Sequence, residues 1–145
     1  MGIIYTIGFT KKSAKDFFEL LKKEKIDLVA DVRLNNTGQL AGFTKKKDLE
    51  YFLDLVEIKY EHWNNFAPTK EMRDKYHATW NWEEYESSYR SLLKGRNALE
   101  KLNKPILTNQ KICLLCSEHT PEKCHRRIAS EMLSDIVSGT KIVHL

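Results

Sequence analysis

Cysteine is scarce in this chain of 145 residues. There are three, an odd number, too few and too clustered for a disulfide scaffold, so a reducing cytosol is the expected compartment. No stretch approaches the roughly 18 consecutive apolar residues of a membrane-spanning helix. The segment from Met1 to Phe9 has no basic leading region, no long apolar core and no small-residue cleavage site. It reads as a first strand, not a signal peptide, and no membrane partner is expected. A P-loop lysine motif, G-x-G-x-x-G, G-x-S-x-G and H-E-x-x-H are all missing, which removes the common nucleotide, dinucleotide, hydrolase and zincin signatures. Internal repeats, low-complexity tracts and a convincing linker are missing too.

What remains is an ordinary globular composition, 41% hydrophobic and 30% charged, of a length that suits one domain, residues 1–145, with a sizeable core. The formal net charge of +4 permits an anionic small molecule or a nucleic acid as partner without demanding either. The lysine bursts Lys11-Lys12, Lys22-Lys23 and Lys45-Lys46-Lys47 fit solvated helix faces better than a nucleic-acid patch. Oligomeric state is left open by the sequence.

Apolar patterning organises the chain. Ile3 to Ile7 is a short strand ending at Gly8. Lys12 to Lys25 is helical, with Ser13 as N-cap and Phe17, Phe18, Leu20 and Leu21 as its apolar stripe. Ile26 to Val32 is a second buried strand, followed by a polar loop from Asn35 to Phe43. Lys46 to Ile58 is helical through Leu49, Phe52, Leu53 and Val56, and Lys59 to Trp63 is a third strand. Asn64 to Ser91 reads as a loop with short helical turns leading into a helix from about Glu83 to Leu93. Asn97 to Leu102 is one more helical turn, and Pro105 marks a boundary. Lys111 to Cys116 is a fourth strand, Cys124 to Ile136 the last long helix and Lys141 to His144 a terminal strand. Strands alternating with helices at this spacing predict right-handed parallel crossovers. The expected fold is α/β: one doubly wound, mostly parallel sheet flanked by helices, a Rossmann-like three-layer arrangement with an aromatic-rich insertion.

The segment Cys116-Ser117-Glu118-His119-Thr120-Pro121-Glu122-Lys123-Cys124-His125-Arg126 then falls between a strand and a helix. Such loops lie at the carboxyl ends of strands, where ligands bind in open α/β sheets. Cys116 or Cys124 can serve as a thiolate nucleophile, since a helix start and basic neighbours lower a thiol's pKa. Alternatively His125 and Glu118 act as acid and base. If strands one, two and four lie side by side, Thr6, Gly8, Asp31, Arg33 and Cys116 converge on one edge. Gly8 would let a ligand approach the backbone, and Arg33 with Arg126 would hold a phosphate or carboxylate. The bland reading of the same charges is an ion pair, Asp31 with an arginine or Glu118 with an arginine, bracing the loops. The aromatic segment reads as cover for the core or as a lid that stacks a base or sugar.

Zinc at Cys113, Cys116, Cys124 and His125 is disfavoured. Residues three apart on a strand point to opposite faces, which makes Cys113 a core thiol. No metal and no cofactor are expected. A disulfide between Cys116 and Cys124, formed on oxidation, stays open.

Thr6-Ile7-Gly8-Phe9, Asp31-Val32-Arg33 and Cys116-Ser117-Glu118 with Cys124-His125-Arg126 together resemble the family called domain of unknown function 488. The likeness runs through nearly the whole chain. It implies a small single-domain α/β protein and says little about activity. Where many members carry a proline soon after Asp-Val-Arg, this chain has Leu34-Asn35-Asn36. Rhodanese-like sulfurtransferases share the Asp-Val-Arg strand end, but Cys116 lies too far from Arg126, and Cys124 too close, for their cysteine-to-arginine cradle. The expected function is an enzyme, a cysteine-dependent hydrolase or transferase acting on an anionic, phosphate-bearing ligand such as a nucleotide or nucleic acid. Two other classes compete: a non-catalytic anion- or nucleic-acid-binding module, and a metal or redox sensor using Cys116 and Cys124.

Overall fold

Five parallel strands in the order β3-β2-β4-β1-β5 form the spine of the computed structural model. Residues 2–36, 42–102, 104–118, 120–137 and 139–145 are described. The strands are β1 (Ile3–Gly8), β2 (Leu28–Asp31), β3 (Lys59–His62), β4 (Ile112–Cys116) and β5 (Lys141–His144). The helices are α1 (Ala14–Lys23), α2 (Lys46–Leu55), α3 (Lys70–Thr79), α4 (Trp82–Gly95), α5 (Lys104–Asn109) and α6 (His125–Ile136). This is the three-layer α/β architecture the patterning predicts. No helix among the described residues is long and apolar enough to cross a membrane.

The central strand β4 reads Ile-Cys-Leu-Leu-Cys and is buried throughout. A strand covered by helices on both faces needs such a continuous apolar run. Its side chains alternate between two cores. Ile112, Leu114 and Cys116 join Tyr89, Leu93, Ile128 and Leu133 on the face of α4 and α6. Cys113 and Leu115 join Phe17, Leu21, Leu49 and Leu53 on the face of α1 and α2. Cys113 is therefore a core thiol with its sulfur on the opposite face from Cys116, and burial pushes its pKa up.

Helix ends follow local chemistry. The Ser13 hydroxyl accepts from the Asp16 amide at 3.1 Å and starts α1. Thr69 and Asn81 do the same for α3 and α4. Two sequence expectations need correction here. The stretch read as loop with short turns contains a full ten-residue helix, α3. None of its residues is buried, so no apolar stripe marks it; its signal is the Thr69 cap after Pro68. Pro105 is no boundary but lies in the first turn of α5, where a missing N–H costs nothing. Part of the loop expected from Asn35 to Phe43 falls outside the described residues.

Helix α4 is held to α6 by an ion-pair network. Arg90 bonds Glu86 and Glu131 at 2.9 and 2.8 Å, and Arg127 bonds Glu86 and Glu131 at 3.0 and 2.8 Å. Arg127 also lies 5.9 Å from the centre of the Trp82 ring. The network fixes the helix that carries Trp82 and Tyr85 relative to the helix that carries His125.

Leu114 is fully buried on the central strand. Leu114→Ala should cost about 2–5 kcal/mol through lost apolar burial and a residual cavity, measured by urea denaturation of both proteins with an unchanged m-value.

Candidate functional site

Two neighbouring strands build the base of the site. Gly8 and Cys116 are partners in the β1–β4 register, so both chains end side by side. Beyond them Ser117 and Glu118 lie against the end of β1, the Ser117 carbonyl accepting from the Thr10 amide at 3.1 Å. The Glu118 carbonyl comes so close to Gly8 that a Cβ there would lie 1.6 Å from its oxygen. Only glycine permits that approach. Arg126, fully buried in the first turn of α6, holds the loop in place. Its Nη1 donates to the Glu118 carbonyl at 2.7 Å and its Nε to the Thr6 hydroxyl at 3.3 Å. Its Nη2 has no partner among the described residues.

This clasp brings the start of α6 against the end of β4. The Sγ atoms of Cys116 and Cys124 and a ring nitrogen of His125 lie within 4.8 Å of one another, all three side chains buried. Cys124 occupies the N-cap position of α6 and makes no side-chain cap bond, which leaves its thiol for Cys116. The neighbouring Cys124 thiol, with the charges of His125 and Arg126, holds the Cys116 thiol well below its usual range, against burial. Cys124 moves the other way, pushed up by burial and by the neighbouring Cys116 charge. Burial works to lower the His125 pKa, but the Cys116 charge outweighs it and raises the pKa above its usual value. Of the two thiols the cluster therefore favours ionisation of Cys116 over Cys124, and it favours a charge on His125.

His125 is fixed on three sides. Its Nε2 donates to the Val32 carbonyl at 2.6 Å, and the Tyr89 ring meets it edge-on at 5.4 Å. The Cys116 sulfur lies 3.6 Å from Nδ1 and 3.8 Å from Nε2. The two nitrogens flank one ring carbon, so near-equal distances put the sulfur beside that carbon or over the ring, steeply off both lone pairs. His125 therefore acts on Cys116 mainly through its charge. The same geometry bears on a metal. Two cysteines and a histidine are the donor types that zinc takes, but with Nε2 spent on Val32 the other lone pair would have to be redirected before this ring could ligate.

Cys116, Cys124 and His125 line a cavity of ≈ 220 Å³. Phe9, Pro68, Tyr76, Trp82 and Tyr85 give it an apolar and aromatic wall, and Arg33, Arg73, His77 and Lys123 give it basic groups. Arg33 is committed. Its Nε and Nη2 donate to the Asp31 carboxylate at 2.9 and 2.8 Å, and Nη2 also donates to the Thr44 carbonyl at 2.7 Å. Tyr60 donates to the same carboxylate at 2.6 Å. Arg73 and Lys123 have no ion-pair partner among the described residues.

The predicted residues thus separate into two groups. Cys116, Glu118, Cys124, His125 and Arg33 line the cavity. Thr6, Gly8, Asp31 and Arg126 lie outside its lining and form the braces beneath it: the Arg126 clasp with Thr6, the close approach at Gly8, and the Asp31–Arg33 pair. Glu118 contributes its carbonyl to the clasp and an exposed side chain to the rim. His119 lies outside the described residues. Arg73, His77 and Lys123 are cavity residues that the sequence did not single out. The first two lie on α3, whose lack of an apolar face hid the helix. Within the aromatic segment Tyr89 is core, as one of the two readings expects, while Tyr76, Trp82 and Tyr85 line the cavity.

Gly8→Ala should displace the loop from the strand ends. The expected loss is about 1–3 kcal/mol of stability with a parallel fall in Cys116 alkylation rate, read by denaturation and by mass spectrometry of the alkylated chain.

No curated protein and no solved structure matches this chain. A family profile does, over residues 13–133, which carry β2, β4, Arg126 with the Glu118 carbonyl it holds, and all of the cavity lining except Phe9. The chain belongs to the family described as domain of unknown function DUF488.

Proposed function

We propose that this protein is a cysteine-dependent enzyme, a hydrolase or transferase, in which the Cys116 thiolate attacks an electrophile carried by a small anionic ligand. The observation that carries the reading is the juxtaposition of Cys116, Cys124 and His125 at the buried end of a cavity whose other members include Arg73 and Lys123. A thiolate is the reactive form of cysteine, and this one has a thiol donor and a cationic ring beside it. The Asp31–Arg33 pair supports the site as a rigid strut, and Arg33 keeps its outer edge toward the cavity.

Cavity size limits the ligand. A volume of ≈ 220 Å³ is below the roughly 300–1,000 Å³ of pockets for drug-sized molecules. A small molecule, or the reactive end of a larger one, enters; a nucleic-acid strand would reach the thiol only with one group. Arg73 and Lys123 give the anion its counter-charge, taking the part that the sequence assigned to Arg33 with Arg126.

A pair of alkylating probes tests thiolate and anion recognition together. Free thiols serve as the reference for the ratio of iodoacetate to iodoacetamide rates. Cys116 should be labelled by both at neutral pH, Cys113 should not react, and the iodoacetate ratio should exceed the reference. Arg73→Gln with Lys123→Gln should return it to the reference. Because the Cys116 pKa is lowered, its rate should hold as pH falls below ~8.5 and be lost only as pH passes through the lowered value. An unreactive Cys116 overturns the nucleophile, and an unchanged ratio overturns the anion.

A further inference from the structure

The attack by Cys116 leaves the neighbouring Cys124 with no chemical part. We infer that Cys124 is a second reacting thiol, and that the electrophile is one sulfur of a small acidic disulfide. The inference rests on the reading of Cys116 as nucleophile, names the substrate class, and makes the reaction a thiol–disulfide exchange in place of hydrolysis.

Geometry carries it. The two sulfurs lie in one cluster on one face of the sheet, and both line the same cavity. The third cysteine is on the opposite face and cannot compete. Cys124 stands at an N-cap with extended backbone, φ −135° and ψ 139°, yet its side chain caps nothing. N-caps favour serine, threonine, asparagine or aspartate for that bond, so the thiol is not placed there for helix formation. Cys116 ends a strand and Cys124 begins a helix, with a seven-residue loop, Ser117 to Lys123, between them. A bond between them would join sulfurs that already lie within 4.8 Å of each other, at the ends of two elements. The charge order also fits: the lowered thiol attacks first and the raised one stays protonated until needed.

The Cys116 thiolate attacks one sulfur of R–S–S–R; a Cys116–S–S–R bond forms, the original S–S bond breaks, and R–S⁻ leaves to take a proton from solvent. Cys124 gives its proton to solvent and attacks the Cys116 sulfur. The Cys116–Cys124 bond forms, the mixed disulfide breaks, and the second R–S⁻ leaves. One external disulfide has been reduced to two thiols, and the protein dithiol has been oxidised to a disulfide. An external dithiol reductant resets the pair. Arg73 and Lys123 select an R group that carries carboxylates.

Oxidised glutathione is the probe, with hydroxyethyl disulfide as its uncharged counterpart. Thiol release and intact mass are followed on the full chain, with non-reducing peptide maps. The wild type should release two thiols per chain and finish with a Cys116–Cys124 disulfide and no adduct. Cys124→Ser should release one thiol and keep a glutathione adduct on Cys116. Cys116→Ser should release none. Arg73→Gln with Lys123→Gln should slow the reaction with oxidised glutathione about tenfold more than it slows the reaction with the uncharged disulfide. A wild type that stops at the Cys116 adduct overturns the role of Cys124 while the nucleophile stands. A Cys116 inert to both disulfides but alkylated by iodoacetate overturns the disulfide substrate alone. Inertness to all of these probes removes the nucleophile as well. Equal slowing of both disulfides by the double variant overturns the acidic class.

Discussion

Arg126 grips the Glu118 carbonyl from inside the protein, and the geometry of the site depends on that grip. A fully buried guanidinium is costly unless its donors are met. Here one donor closes the loop onto β1 and another meets Thr6, while Gly8 supplies the space beneath. The result fixes where α6 begins. With Cys124 at that beginning and Cys116 at the adjoining strand end, the two sulfurs meet because the loop between them is pinned. Arg126 is thus better placed to position the reacting groups than to touch a ligand, though its charge still favours the Cys116 thiolate.

Around that clasp the molecule divides labour by depth. Fully buried polar groups, Thr6, Asp31 and Arg126, hold strand ends and loops. The middle layer, Cys116, Cys124 and His125, has only a few per cent of its surface exposed and holds the groups proposed to react. The outer layer, Arg73, His77, Lys123 and the aromatic wall, lines the cavity around them. A thiolate needs this order: deep enough to be shielded from competing reactions, with donors that offset the cost of burial, and open on one side.

Strands, most helices and the convergence of three strand ends were legible in the sequence because buried parallel strands are continuous apolar runs and capped helices carry apolar stripes. Strand alternation alone was enough to place Cys113 on the wrong face for the site. Two things were hidden. Helix α3 buries no residue fully and packs Met72 alone of its aliphatic side chains against the core, so periodicity could not reveal it, and Arg73 and His77 went with it. Charge type, moreover, does not tell bracing from binding. Arg126 and Arg33 look alike in sequence, yet one is sealed inside and the other reaches the cavity while paired to Asp31. Only the three-dimensional partners separate the two.

The central claim is that Cys116 is a thiolate at neutral pH because Cys124, His125 and Arg126 surround it. Ultraviolet thiolate absorbance, titrated with pH for the wild type and for Cys116→Ser, tests it most directly through the difference spectrum. A single ionisation well below the ~8.5 of a free thiol is the predicted result. An ionisation at or above that value would contradict the account, since the neighbours would then have failed to stabilise the charge they were taken to hold.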